Sequence, residues 1–516
     1  MKLKKRIKMC AVILAAIIFF VLLFTASCSS KTDSAENNNK KEENAAVNEN
    51  EADGSQERQE NEQGEQRIFS EAPVKDFEGH KFRVLSRDAA ATRWYARDIT
   101  SEAETGDPFN DAVYRRNITI EDKFNIKIVN NMVSSENMLN SANKSIKSNS
   151  DDYDILMGGL NGFANTLSLG GMLVDLHKVP YLDLPKPWYD QKANEQLTIA
   201  RQLYVTINEI STIDKDATWA YLFNKKLVGE YGLEIPYQLV RDGKWTIDKM
   251  LEMCKGISKD LNGDGKMDKD DLYGYAGEAA NMYFGMLSAG TEMVKKDKDD
   301  MPVYTGLDDI GLNVFGKLIS IMGDKNLMLR ADDWYGKGVD VWGETGLMDI
   351  AFEENRILLF DTSMSRVQLY RNMEADFGIV PPPKRDESQT EYISNLTVAW
   401  TNSFCIPITA SDLERTGIIS DALAAESLYT VIPAYYDIQL KTKIARDDES
   451  SEMLDILFAG RKFDLGMIYN WGGLVDTIIN AVQKNNPDIV SALEKIQGKV
   501  EAQIAQTIAK FEESLN

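Results

Sequence analysis

The sequence predicts an α/β fold, and three observations carry that expectation. From Phe77 onward, short apolar strands alternate with helices long enough to serve as crossovers, the pattern of largely parallel sheets covered by helices. The chain has 516 residues, enough to bury a large core, and chains of this size normally divide into at least two domains. Finally, Phe377-Gly378-Ile379-Val380 runs straight into Pro381-Pro382-Pro383. Proline denies both helix and further strand pairing, so this stretch reads as a crossing between domains.

The first thirty residues stand apart from that fold. Lys2, Lys4, Lys5, Arg6 and Lys8 precede an apolar run from Met9 to Ala26, closed by Thr25-Ala26-Ser27-Cys28. A basic head, an apolar core and small residues at the exit mark an export signal. A run of about 18 residues would also just span a bilayer, so an uncleaved anchor is the alternative. Cys28 directly after small residues predicts instead that residues 1–27 are removed and the Cys28 thiol is lipidated. Thr25 departs from the pattern, since Leu or Val is usual three positions before such a cysteine. Residues 28–73 are then a tether: Asn, Glu, Gln, Lys and Ser dominate from Ser29 to about Arg67, with too little apolar surface to offset the entropy of ordering. The folded part is expected at the extracellular face of the cell membrane, held by its lipid anchor.

Composition removes several function classes. With 81 acidic and 58 basic residues the net charge is -23, which repels nucleic acid and anionic lipid. Cys10 and Cys28 belong to the signal, leaving Cys254 and Cys405 either bridged or as buried free thiols. The two histidines, His80 and His177, cannot make a histidine-rich zinc site, and His80 reads as a strand-start residue. There is no Gly-x-Ser-x-Gly elbow, no His-Glu-x-x-His and no phosphate-binding glycine loop. A secreted glycosidase would need only two facing carboxylates, but no pair is singled out by its flanks. The chain is not expected to be an enzyme.

In order, Glu78 to Ser86 is a turn into a strand, and Asp111 to Phe124 a helix with Val113, Ile120 and Phe124 apolar. Asn125 to Val129 is a strand, Ser134 to Lys147 a helix, and Tyr153 to Gly158 a third strand. A helix from Phe163 to Leu169 precedes a proline-rich loop around Trp188. Gln202 to Ile207 reads as a strand and Trp219 to Glu230 as a helix. Thr246 caps a helix whose apolar face holds Met250, Met253 and Cys254. Helices follow at 282–289 and 307–322, then the strand Leu358 to Asp361, a helix from Met364 to Met373, and strand material at 398–400 and 403–406. Helices at 413–431, 448–459 and 474–484 precede an amphipathic one from Asp488 to Phe511, expected to pack on its own domain.

The sharpest local motif is Asp260-Leu-Asn262-Gly-Asp264-Gly265-Lys266-Met-Asp268-Lys-Asp-Asp271. Side-chain oxygens fall at positions 1, 3, 5, 9 and 12, Gly265 permits the sharp turn, and Lys266 would offer its carbonyl. That is the spacing of an EF-hand-type calcium loop, with a shorter Asp271 where glutamate is usual. The alternative is an Asx-rich turn without metal. A structural Ca2+ is expected.

The sequence resembles Gram-positive extracellular solute-binding lipoproteins of ABC importers, the class (family 1) that contains maltose- and oligosaccharide-binding proteins. The resembling pieces are Thr105 to Asn117 (Thr-Gly-Asp-Pro-Phe-Asn-Asp-Ala-Val-Tyr-Arg-Arg-Asn), Tyr153-Asp154-Ile155-Leu156, Gly171 to Leu176, Leu222 to Leu227, Asp242 to Met250, the loop ending in Tyr273-Gly274, and Phe377 to Pro383. It is their order that resembles the family. The resemblance implies a periplasmic-binding-protein-like type II fold: two lobes joined by hinge strands, with a ligand cleft between them. It places lobe one at 74–203 plus 352–383, lobe two at 204–351 plus 384–500, and the end of the last helix at 501–516. It further implies a monomer that closes on a solute, an oligosaccharide on the aromatic supply, and delivers it to a membrane permease.

Sugar sites set ring faces against aromatics and satisfy hydroxyls with carboxylates, amides and arginines. The candidates near the expected lobe edges are Arg93, Trp94, Glu209, Trp219, Trp342, Asp361, Arg366, Trp400, Asn402, Tyr435 and Trp471, with Tyr95, Tyr221 and Tyr436 beside them; Trp245 is expected to be structural. A lipoprotein that senses a ligand for a membrane receptor would share the same fold and cleft.

Overall fold

Nine strands among the described residues build two main sheets: β1 (His80–Arg87), β2 (Ile126–Val133), β3 (Ile155–Gly158), β4 (Trp219–Asn224), β5 (Tyr273–Gly277), β6 (Met328–Arg330), β7 (Ile357–Ser363), β8 (Phe377–Val380) and β9 (Ser403–Cys405). The computed structural model describes residues 67–513 except 89–95, 344–345 and 437–447. The signal segment, Cys28, the tether to residue 66, and Arg93, Trp94 and Tyr95 therefore lie outside the described residues.

The first sheet has the order β9-β3-β1-β2, with β1, β2 and β3 parallel and β9 antiparallel to β3. Its crossover helices are α1 (Pro108–Phe124) and α2 (Met138–Lys147). Asp107 starts α1 by accepting the amides of Phe109 and Asn110, both at 3.0 Å, and Pro108 fills the first turn, where its missing N–H costs nothing. Asn125, left-handed at φ 48°, ends the helix and turns the chain into β2. Phe82, Val84, Phe124, Ile128 and Ile155 fill the core between.

The second sheet runs β8-β4-β7-β5-β6, antiparallel across β8, β4 and β7 and parallel across β7, β5 and β6. Here the structure corrects the sequence reading twice. Trp219–Asn224 is a strand, not the first half of a helix. It is buried on both faces, and a run such as Ala220-Tyr221-Leu222-Phe223 carries no helical periodicity to lose. The helix begins only at Lys225, where the Asn224 side chain accepts the Leu227 amide at 3.0 Å.

The second correction concerns the lobes. Residues 352–383 were expected in lobe one, yet β7 and β8 flank β4, with Asp361 and Val380 both registered on Tyr221. Conversely β9, expected in lobe two, pairs with β3 through Phe404 and Met157. Short apolar strands declare burial but not their partners, so the order of crossings could not be counted from them. The expected strand at 202–207 makes only isolated bridges, one of them Thr206 to Phe404.

Two chain segments run between the sheets side by side. The stretch before β4 and the stretch before β9 touch through the Thr218–Leu396 bridge and the Thr397 amide, which donates to Ala217 O at 2.9 Å. After β9 the chain forms α4 (Leu413–Tyr429), and the C-terminus is one continuous helix, α5 (Ile489–Glu513), so 501–513 is no separate element. Phe511 at its end meets the Tyr204 ring at 5.0 Å.

The tether also ends earlier than residue 73. Ile68 N donates to the Tyr429 hydroxyl at 3.0 Å, Ser70 Oγ donates to Asp421 at 2.5 Å, and Arg67 pairs with Glu426, so this segment is docked on α4. Cys254 and Cys405 are free, buried thiols in different parts of the fold, donating to Gly274 O and Leu156 O. Among the described residues no helix is long and apolar enough to cross a membrane.

Candidate functional site

A cavity of about 400 Å³ opens where the C-terminal end of β7 meets the crossing segment before β9. Trp219 opens β4 and is registered on Ser363 at the end of β7, which brings the ring beside Thr362 and Ser363 at the cavity floor. Helix α3 (Asn281–Ser288) is entered through Glu278 and Ala280, and Phe284 on its first turns packs on Trp219 with ring centroids 4.8 Å apart. Tyr335 and Trp342 come from the loop after β6, Arg366 from the helical turn after β7, and Thr397 and Trp400 from the crossing segment.

These groups are held in fixed orientations. Trp342 lies parallel on Phe360 at 6.2 Å, and the Arg366 guanidinium covers it 4.6 Å from the ring centroid. Arg366 is itself fixed by an ion pair with Asp349 and by donation to Trp342 O at 3.0 Å. The Trp342 indole donates to the Tyr335 hydroxyl at 2.5 Å, which donates in turn to Glu278 at 2.9 Å. Burial raises the Glu278 carboxyl above its ordinary value, against the Tyr335 hydrogen bond that lowers it. Trp400 is braced by Arg87, whose guanidinium sits 5.6 Å from its ring and donates to Ala399 O at 3.1 Å, Thr401 O at 3.0 Å and Asn402 Oδ1 at 2.8 Å. Burial lowers the Arg87 guanidinium to about 10.

Of the residues expected from sequence, the cavity gathers Trp219, Trp342, Arg366 and Trp400, with Asp361 beneath its floor. Asp361 is 2% exposed and pushed up to about 7, chiefly by burial, against hydrogen bonding from Tyr275. Tyr221 is packed under the same floor, parallel to Tyr275. The remaining candidates among the described residues are elsewhere and structural. Glu209 is held by Lys215 at 2.6 Å, and Asn402 is buried between Arg87 and Ser211. Tyr435 is fully buried and donates to Asp216 at 2.7 Å, with Tyr436 packed edge-on against it. Trp471 is 2% exposed, stacked on Tyr469 at 4.7 Å, and donates to Thr507 of α5 at 2.9 Å. Its ring is covered by the C-terminal helix, so it offers no face to a ligand.

Sequence reasoning missed Glu278, Phe284, Tyr335, Thr397 and Arg87. For Arg87 a signal existed, since an arginine closing the apolar strand Phe82 to Ser86 must find acceptors at the sheet's end.

The Asp260–Asp271 loop does not converge on a cation. Asp260 accepts the amides of Gly263 at 2.6 Å and Gly265 at 2.8 Å, while Asp271 accepts those of Leu261 at 2.8 Å and Asp268 at 2.7 Å. Asn262, Asp264 and Asp268 each accept the amide two residues on, at 2.9 Å. Lys266 lends its amide to that set. The turn closes on its own backbone, with Gly265 at φ 80°, and among the described residues no three His, Cys, Asp or Glu side chains are placed to share a metal. Asp260, Asn262, Asp264, Asp268 and Asp271 each accept at least one backbone amide.

No protein-family model matches the chain, nor does any curated protein. Solved structures do resemble it. An ABC substrate-binding protein from Listeria monocytogenes in complex with cycloalternan superposes with a TM-score of 0.55 at 11% identity, covering 83% of this chain and 99% of that one. A cyclo/maltodextrin-binding protein complexed with maltotetraose gives 0.52 at 13% identity, over 85% and 98%. A sugar transporter from Rhizobium etli in an open conformation gives 0.55 at 14%, over 82% and 99%. At these identities the likeness shows the fold: the chain has the type II periplasmic-binding-protein architecture that the sequence resemblance implied.

Proposed function

We propose that this protein is the extracellular substrate-binding component of an ABC transporter, which takes an oligosaccharide into the cavity between its sheets and passes it to a membrane permease. One observation carries the reading: Trp219, Trp342 and Trp400, from three separate parts of the chain, line one cavity together with Glu278, Tyr335, Arg366, Thr362, Ser363 and Thr397. Ring faces take the apolar faces of sugars, and carboxylate, guanidinium and hydroxyl groups take their hydroxyls. The resembling structures from Listeria monocytogenes and of the cyclo/maltodextrin-binding protein hold oligosaccharides, which supports the same ligand class here.

Glu278 is the one carboxylate among the described lining residues. Attachment through Cys28 at the outer face of the membrane, and action as a monomer, complete the proposal. Calcium at the Asp260–Asp271 loop belongs to the proposal on the spacing of its oxygens.

A thermal-shift screen tests these points, because a ligand that binds only the native state raises the melting temperature. Oligosaccharides, monosaccharides and peptides are compared, with calcium and with chelator. A rise with an oligosaccharide is expected; no rise with any sugar sinks the reading. A calcium-dependent rise lost in Asp260→Asn supports the metal, and identical melting in calcium and chelator removes it.

A further inference from the structure

The floor of the cleft contains two buried polar groups that face each other without bonding. Trp219 and Tyr221 alternate on β4, and Asp361 and Ser363 on β7, so the pairings Trp219–Ser363 and Tyr221–Asp361 put all four side chains on one face of the sheet. The Asp361 Oδ2 accepts the Tyr275 hydroxyl at 2.8 Å, but Oδ1 has no partner. The Trp219 indole N–H also has none, although it is shut off from water and lies near enough to influence this carboxyl. Asn281 donates to the Asp361 main-chain oxygen at 3.1 Å and leaves its own Oδ1 unpaired. Buried polar atoms are nearly always paired, so an unpaired ring N–H with two unpaired oxygens close by calls for an explanation.

We propose that Asp361 is a positioning residue for the cleft, holding the Trp219 ring from beneath, so that the orientation of this ring follows the protonation state of one carboxyl. It does not touch the ligand. The link to ligand affinity rests on the sugar-binding reading; the coupling to Trp219 does not.

The groups around the carboxyl give the switch its direction. Tyr275 faces it from β5, Tyr221 and Trp219 from β4, and Asn281 from α3, all neutral; Cys254 stands behind Tyr221, while Glu278 and Arg366 lie among the cavity lining above. Burial among neutral partners brings the ionisation of Asp361 to about 7. Once ionised, Asp361 accepts the indole N–H in a charge-assisted bond, which is shorter and stronger than a neutral one and fixes the ring. Protonated, it loses that hold.

The test uses the intrinsic tryptophan fluorescence of the whole protein without ligand, followed as pH rises through about 7. Wild type should show a transition there that vanishes in Asp361→Asn and in Trp219→Phe and persists in Glu278→Gln. Persistence in Asp361→Asn, or a flat wild-type profile, overturns the proposal. If Asp361→Asn does not fold, Asp361→Ala decides in its place, since it removes the titrating carboxyl and keeps the Trp219 reporter. Because no ligand is present, this result is independent of whether a sugar shifts the melting temperature. With any sugar that does, wild-type affinity should change as pH rises through about 7, and the affinities of Asp361→Ala and Asp361→Asn should not.

Discussion

Two places in this molecule bury polar side chains to the same depth and treat them in opposite ways. At the crossing before β4, buried charges meet opposite charges or hydrogen-bond donors. Arg461 joins Asp190 at 2.7 Å and also Asp214, and Lys215 holds Glu209 at 2.6 Å. Arg97 holds Asp216 at 3.2 Å, and Asp98 accepts Ser211 Oγ at 2.7 Å and Thr212 N at 2.6 Å. Against desolvation, the surrounding carboxylates hold Lys215 and Arg461 above their ordinary values, and both stay charged. Beneath the cleft, Asp361 has only neutral neighbours, and burial wins. The contrast separates two uses of buried polarity. The knot fixes the two crossing segments against each other, whereas the cleft floor leaves one group free to change state.

Breaking the knot should produce the largest effect. Arg461→Ala takes from the half-buried Asp190 its cation and leaves the buried Asp214 only Lys215 at 3.5 Å, and removing one partner of a buried pair costs about 3–5 kcal/mol. Chemical denaturation should show a fall of that order; a fall within the range of an exposed pair, about 1 kcal/mol or less, would mean the knot is solvated.

The cleft floor predicts an opposite kind of sensitivity, to pH. Unfolded, Asp361 titrates at its ordinary value of 3.8; folded, at about 7. Between those values the native state keeps a proton that the unfolded chain has lost, so stability falls as pH rises. The contribution is whole below 3.8 and gone above about 7. Asp464, buried beside Tyr283 and pushed up to about 6, adds a fall of the same sign. Asp361→Asn should flatten the upper part of the melting-temperature profile, leaving the Asp464 part; an unchanged profile would mean that Asp361 is ionised throughout. The knot's Arg461 and Lys215 titrate far above this range and should contribute no slope here.

Truncating the cleft's rings tests function without touching the knot. Trp219→Ala and Trp342→Ala should each weaken binding of whichever sugar shifts the wild type by roughly tenfold, about 1.4 kcal/mol, with melting in the absence of sugar little changed for the half-exposed Trp342. Calorimetric titration reads this directly. Equal affinities would move the ligand out of the cavity.

The comparison also shows what the sequence could reveal. The α/β alternation, the strand stop at three prolines and the four cavity-lining residues Trp219, Trp342, Arg366 and Trp400 were legible, because periodicity, proline and aromatic supply are local signals; the crossing itself comes later, near Leu396 and Thr397. Partner choice was not local: nothing in Ile357–Ser363 says that it lies beside Trp219–Asn224 rather than beside β3. For the same reason Glu209, Asn402 and Tyr435, which looked like cleft residues, turned out to be braces of the crossing. Their polarity was visible; the partners that neutralise it, Lys215, Arg87 and Asp216, come from elsewhere in the chain or fold back only at the crossing. The calcium-type spacing was equally plain to read, but spacing does not say whether oxygens turn inward to an ion or outward to backbone amides.

Trp471 gives the smallest expected effect and the cleanest separation of the two roles. By composition it is as good a sugar platform as Trp219, set in Tyr469-Asn470-Trp471-Gly472-Gly473 with Gly472 and Gly473 both at positive φ. The fold uses that turn differently: a Cβ on Gly472 would stand 2.5 Å from Val500, so the glycine admits α5 to the loop, and α5 in turn covers the Trp471 ring. Trp471→Phe keeps the stack on Tyr469 and removes the hydrogen bond to Thr507, leaving that hydroxyl with only its helical acceptor. The loss should be about 1 kcal/mol of stability, with sugar affinity unchanged. A variant that melts like wild type but binds sugar more weakly would return Trp471 to the ligand and place a second site under the C-terminal helix.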